Sequence, residues 1–289
     1  MSDISLRYRL EWLGVKMAVG LFRLLGRRRA ATFGGWLARK IGPCLKVHRL
    51  AEENMGMALP ALTAQQRAAA LEGMWDNLGR NVGEIPFNRE ILEDTETVEL
   101  VGGEYLDAYL ASGKAAFFVT AHYGPWELVA LVGRRLGARA TGIYRAANNP
   151  LVEELFQSMR ADPDYRFVPK GNEGARAIVK AARGGGAIVL LNDQKLNGGV
   201  PIPFFGRDAM TAPAVAEIAC KMEVPIYPMR AERLSGGRRR LTIYPALDVP
   251  RTGEREKDVY ILLKNINETF ERWITERPDH WFWVHNRWS

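Results

Sequence analysis

Apolar positions recur with two different periods along this chain, and the change falls near residue 97. Residues 4 to 29 carry Leu6, Leu10, Leu13, Met17, Leu21 and Leu24 at three- and four-residue steps, which predicts a helix. At 100° per residue these six fall in a sector about 80° wide. Arg9, Lys16, Arg23 and Arg27 share a narrower sector of about 40°. Trp12, Val15, Val19 and Phe22 lie beyond that basic stripe, so the helix is apolar around most of its circumference. Its longest uncharged run, Met17 to Phe22, falls far short of the roughly 20 residues that span a bilayer. The pattern predicts a membrane-associating helix lying in the interface, with the basic stripe toward anionic headgroups. The alternative is a helix packed on its own domain with a solvated basic edge. No small-residue cleavage site follows a clean apolar core, so a signal peptide is not expected.

Residues 30 to 92 keep a helical period, interrupted at Pro43 and Pro60. Thr63 with Gln66 forms a capping-box pattern at the start of one of these helices. Beyond residue 97 short apolar runs alternate with amphipathic ones. TVELVG, KAAFFVTAH, TGIYRA, AIVLLND, VPIYPMRAERL and RRRLTIYPAL read as strands. EYLDAYLAS, PWELVALVGRRLG, PLVEELFQSMRA, NEGARAIVKAARGGG, APAVAEIACKME and a stretch from about 255 to 276 read as helices. The predicted fold is α/β: a mixed, largely parallel sheet flanked by helices, behind a helical N-terminal membrane-anchoring region. Residues 1–30 form that region and residues 31–289 a single α/β domain.

Composition changes this picture in two places. The chain of 289 residues has 40 Lys and Arg against 33 Asp and Glu, a net charge of +7, which favours an anionic partner. No nucleic-acid motif accompanies the charge, so a lipid surface or an acidic protein is expected instead, and nucleic acid is not. Cys44 and Cys220 stand alone, and His48, His122, His280 and His285 lack ligand spacing, so no metal site is expected.

The chemistry concentrates in TAHYGPWELV, where His122 precedes Glu127 by five residues. On one continuous helix the two would point about 140° apart. Here a strand runs into His122, Tyr123-Gly124 makes a turn, and Pro125 opens a helix whose first turn holds Glu127. That places His122 at the carboxyl end of a strand, where α/β sheets bind ligands, with Glu127 as its orienting partner. A histidine held by a carboxylate is a general base for a hydroxyl. The spacing alone is weak evidence. His48 and Glu53 repeat it in VHRLAEE, a plain helical context that predicts a surface residue.

The His122–Glu127 block resembles the His-x4-Asp/Glu motif of glycerolipid-type acyltransferases, and the chain looks most like the late acyltransferases of lipid A biosynthesis. Three further blocks carry the resemblance: Tyr144-Arg145 with Asn148-Asn149-Pro150 and Arg160; Asp193-Gln194 with Pro203-Phe204-Phe205-Gly206 and Thr211; and Pro278, Trp281, Trp283 and His285-Asn286-Arg287-Trp288. The resemblance implies an O-acyltransferase, without cofactor or metal, that moves a fatty acyl chain from an acyl carrier protein thioester to a hydroxyl of a lipid A precursor. Other acceptors it allows are a lysophospholipid, a phosphatidylinositol mannoside or an amino-acid lipid. It also implies the cytoplasmic face of the cell inner membrane, with peripheral or monotopic attachment. His122 and Glu127 are then catalytic.

The other matched residues have two readings each. Arg145 and Arg160 either clamp a lipid phosphate or form surface ion pairs. Asn148 and Asn149 either contact substrate or cap the next helix. Asp193, with Gln194, follows an apolar strand and is either a site residue, for which that place is frequent, or part of ordinary loop chemistry. Phe204, Phe205 and Gly206 either line an acyl channel or belong to the core. Arg238 to Arg240 end a hairpin in solvent or meet the acidic carrier. The Trp-rich tail lies either at the bilayer interface or on the core.

Overall fold

The computed structural model describes residues 4–136, 140–160 and 165–288. Five helices come first: α1 (Leu6–Leu25), α2 (Arg27–Ile41), α3 (Lys46–Ala58), α4 (Ala64–Glu84) and α5 (Asn88–Glu93). Strands and helices then alternate: β1 (Val98–Val101), α6 (Gly103–Ser112), β2 (Ala116–Thr120), α7 (Ala130–Leu136), β3 (Ala140–Tyr144), α8 (Pro150–Arg160), β4 (Arg166–Pro169), α9 (Asn172–Arg183) and β5 (Ala187–Leu191). A hairpin, β6 (Val200–Phe204) and β7 (Arg207–Thr211), leads to α10 (Ala214–Met222), β8 (Ile226–Arg233), β9 (Arg239–Ile243) and α11 (Arg255–Glu276).

Seven strands form one sheet in the order β1-β9-β8-β2-β5-β3-β4, and β6 and β7 pair separately. Every pairing in the large sheet is parallel except β8 with β9. The sheet is thus mixed and largely parallel, as the alternation predicted. Its centre is β2, whose five residues are all buried, as a strand covered on both faces requires. Side chains alternate across it. Phe117 and Val119 join a core with α3, α4, α10 and α11, while Ala116 and Phe118 join one with α6 and α7.

Two features differ from the sequence reading, and a third decides an alternative it left open. The first helix does not run on to residue 29: it ends at Leu25, and Gly26, at φ +72°, turns the chain into α2. β4 and the β6–β7 hairpin are additional, because Pro201 and Pro203 mask a strand pattern that only an edge position tolerates. The Trp-rich tail packs on the core, with Trp281 and Trp283 fully buried. The Thr63–Gln66 capping box forms as predicted, with both reciprocal bonds made.

The helices that precede the sheet pack tightly on one another. α2 crosses α4 through glycine: a Cβ at Gly34 would stand 2.2 Å from the Gly79 carbonyl oxygen. α1 is different. Trp12, Val15, Val19 and Phe22 are buried or half-buried, whereas Leu6, Leu10, Leu13, Met17, Leu21 and Leu24 are all exposed, Leu24 at 88%. No helix among the described residues is long and apolar enough to cross a membrane.

Candidate active site

β2 and β5 are parallel neighbours with Thr120 opposite Leu191. Two residues beyond each lie His122 and Asp193, so the register alone delivers them side by side at the carboxyl ends of adjacent central strands. The contact is made twice. His122 Nδ1 lies 2.8 Å from Asp193 Oδ1, and the His122 backbone N–H donates to Asp193 Oδ2 at 2.9 Å. Trp281 Nε1 donates to the same Oδ2 at 2.9 Å. Burial would push the Asp193 carboxyl up, but the His122 ring beside it outweighs that and holds it well below the usual carboxylate range. An ionised carboxylate only accepts. Nδ1 therefore carries the ring proton, and the Nε2 lone pair is left as the basic site.

Here the geometry differs from the sequence expectation. Asp193, not Glu127, occupies Nδ1 and orients the ring. Glu127 sits where the sequence placed it, in a short helical turn, Trp126–Val129, that Pro125 precedes. It lines a small cavity with Asn81, Glu84 and Arg239. The physical reason is the register: a residue opposite in a parallel pair faces His122 directly, while the turn carries Glu127 onward into the helix.

The turn after His122 is clamped from three directions. Gly124 has φ +55°, and a Cβ there would come within 2.2 Å of the Ala231 oxygen, so the position accepts only glycine. Its N–H donates to the His280 carbonyl at 2.8 Å. Its carbonyl accepts from Asn81 Nδ2 at 2.8 Å and Asn77 Nδ2 at 3.2 Å. The tail adds a further strap, since the Phe282 N–H donates to the His122 carbonyl at 3.0 Å. Trp126 and Phe282 flank the imidazole, with ring centroids 5.6 and 6.2 Å away. The side chain is 23% exposed, whereas that of Asp193 is fully buried. Gln194 completes the group, its Nε2 standing 3.5 Å from His122 Nε2.

Behind Asp193 lie two more basic groups. His285 is buried, and burial pushes its pKa down to about 4 against the opposing pull of Asp193. Arg287 is fully buried, donating to the Met210 carbonyl and to Thr211 Oγ1 and lying over the Phe204 ring. Burial lowers its pKa to about 10, so it stays charged.

The remaining sequence candidates separate into groups. Arg145 and Asn148 are exposed near the β3–α8 connection. Asn149 is buried and fully committed elsewhere: its oxygen accepts from the Leu151 N–H at the start of α8, and its amide donates to the Tyr8 carbonyl and Glu11 in α1. It is a cap and a fastener. The side chain of Arg160 lies outside the described residues. Phe204 is fully buried against Trp281 and Trp288 and is core. Phe205 and Gly206 make the hairpin turn between β6 and β7, both at positive φ. Trp281, Asn77 and Asn81 escaped the sequence reading of the site, because only the folded chain brings them to residues 122–124 and 193. No cluster of potential metal ligands occurs among the described residues.

A strand-end histidine held by a buried carboxylate is an arrangement that can serve as a general base. The chain belongs to the bacterial lipid A biosynthesis acyltransferase family, whose family model matches residues 3–289. It is 23% identical to a lipid A biosynthesis acyltransferase of Haemophilus influenzae, over 94% of this chain and 85% of that protein. It is 21% identical to the lipid A biosynthesis myristoyltransferase of Escherichia coli K12, over 96% and 86%. A phosphatidylinositol mannoside acyltransferase of Mycobacterium tuberculosis is 24% identical, over 97% and 87%. The protein is thus an enzyme of acyl transfer to lipid A or a related lipid.

Proposed function

We propose that this enzyme transfers a fatty acyl chain from an acyl carrier protein thioester to a hydroxyl of a lipid A precursor, with His122 as general base. The observation that carries the reading is the Nδ1–Asp193 contact, which fixes the tautomer and leaves Nε2 basic. His122 Nε2 takes the hydroxyl proton as the oxygen attacks the thioester carbonyl. The tetrahedral intermediate collapses, the C–S bond breaks, and the imidazolium returns its proton to the departing thiolate. Asp193 stabilises the imidazolium by charge. The Gln194 amide, beside Nε2, is placed to donate to the oxyanion. Glu127, in the first turn beyond the histidine, adds a second negative charge on this side of the sheet.

In this reading α1 lays its six exposed apolar residues into the cytoplasmic leaflet of the inner membrane, where the acceptor lipid resides. Burial of each is worth about 1.5–3 kcal/mol. Leu13→Glu combined with Met17→Glu is therefore expected to weaken vesicle binding about a hundredfold, read by cosedimentation. Unchanged binding removes α1 from the membrane contact.

A second acceptor class, phosphatidylinositol mannosides, is favoured by the mycobacterial relatives, whose identity and coverage are slightly above those of the lipid A enzymes. The deciding assay offers labelled acyl carrier protein thioester with each acceptor to wild type and His122→Ala at matched expression. Transfer to the lipid A precursor that falls about a hundredfold or more in the variant supports both base and acceptor. Transfer that survives the substitution refutes the mechanism, and transfer only to the mannoside moves the acceptor.

A further inference from the structure

A cleft that His122 does not line opens between α2, α4, the β8–β9 connection and residues 277–280, with a volume of about 570 Å³. Six arginines line it: Arg27, Arg28, Arg80, Arg233, Arg239 and Arg277. Four of them are held in place by carboxylates, Arg27 by Asp94, Arg80 by Asp76, Arg277 by Asp279 and Arg233 by both oxygens of Glu84.

The charges on one wall do not balance. Glu84, buried at the end of α4, also takes Arg239 at 2.5 Å. One carboxylate thus serves two guanidinium groups that are themselves largely buried. Buried charge is ordinarily matched, and Arg239 keeps a buried Nε donor with no acceptor among the described residues. The excess extends to the mouth. Arg28 is exposed and has no carboxylate partner among the described residues. It also lies in the first turn of α2, whose N-cap, Gly26, offers no side chain to its free N–H groups. Ser235, Gly236 and Gly237 form the opposite rim.

We propose that this cleft binds a phosphate monoester, carried by a membrane lipid or free in solution. A doubly charged monoester answers the excess of guanidinium groups, whereas a diester brings a single charge and fewer acceptor oxygens. Arg27 and Arg28 at the mouth follow Leu24 of α1 by three and four residues, and Leu21 and Leu24 are exposed, so on the membrane reading of α1 proposed above a lipid headgroup would approach this mouth. Binding would also be felt at the reacting histidine, because Asn77 and His280 line the cleft and hold the Gly124 carbonyl and N–H.

The test uses the full chain on phosphatidylcholine vesicles doped with equal fractions of phosphatidic acid, a monoester, or phosphatidylglycerol, a diester of the same backbone. The basic stripe of α1 attracts both. The cleft adds about tenfold tighter binding to phosphatidic acid. Arg28→Gln removes part of the charge, and Thr32→Trp, at an exposed cleft position, blocks the mouth without touching an arginine. Both are expected to erase the preference while leaving phosphatidylglycerol binding and circular dichroism unchanged. Inorganic phosphate separates the sources: heat of binding to wild type that vanishes in Thr32→Trp shows a free monoester suffices, and a preference that phosphate does not compete away shows that the lipid is needed. Equal binding to the two vesicles with no heat from phosphate, or a preference that persists in folded Thr32→Trp, overturns the proposal.

Discussion

Two histidines in this chain share the His-x4-Glu spacing, and the fold gives them opposite chemistry. His48 lies inside α3, where its Nδ1 accepts from the Trp75 indole N–H at 3.0 Å and its Nε2 faces Glu52, one turn on, at 3.5 Å. Accepting at Nδ1 fixes the proton on Nε2 and occupies the lone pair with an indole. His122 is the reverse: Nδ1 donates to Asp193, and the lone pair is left on Nε2, beside Gln194. Neither ring takes the glutamate five residues on as its Nδ1 partner. What makes a base is which nitrogen the surroundings leave open, and spacing along the chain does not decide that.

The sharpest way to break the contrast is to give His122 the wrong tautomer. Asp193→Asn keeps the shape of the contact but can present an amide donor to Nδ1, and acyl transfer is expected to fall by about 10³ or more. Glu127→Gln is the control within the same site and is expected to cost about tenfold. If steady-state rates reverse that order, the orienting role returns to Glu127. A third histidine extends the comparison to stability. His285 has a pKa pushed down to about 4, below the ordinary value near 6.5. Between those values the unfolded chain binds a proton that the folded chain refuses. Stability should therefore be complete above about pH 6.5, fall by up to about 1.4 kcal/mol per unit down to about pH 4, and then level off in this contribution. Denaturant midpoints across that range should slope less in His285→Gln. The smallest effect belongs to His48→Ala, expected to leave transfer within about twofold and to cost about 1 kcal/mol through its lost indole bond. A large kinetic loss there, at unchanged stability, would erase the distinction between the two histidines.

The sequence made the α/β alternation legible because the central strands are continuous apolar runs and two of the helices between strands, α6 and α9, end at glycines. It also placed His122 correctly at a strand end, since a turn and a proline follow it. The partner was harder to see. Asp193 was visible as a residue beyond an apolar strand, but its pairing with His122 depends on β2 lying beside β5 in one particular register. Neither strand announces that neighbour. The clamp on Gly124 was hidden for the same reason, because Asn77 and Asn81 lie on a helix more than forty residues earlier and look like ordinary polar positions. Asn149 shows the converse. Its position in a matched block suggested substrate contact, and the folded chain uses it to tie α8 to α1.

The strap from residues 280 to 283 has a consequence for the order of events during synthesis. Trp281 supplies one of the donors that hold Asp193, and His280 and Phe282 fix both sides of the turn carrying His122. These residues leave the ribosome more than two hundred residues after α1. A nascent chain can thus present its apolar helix to a lipid surface long before the histidine is braced. The apolar helix is thus made well before the residues that brace the histidine, and the site is complete only once residues 280–283 have folded onto it.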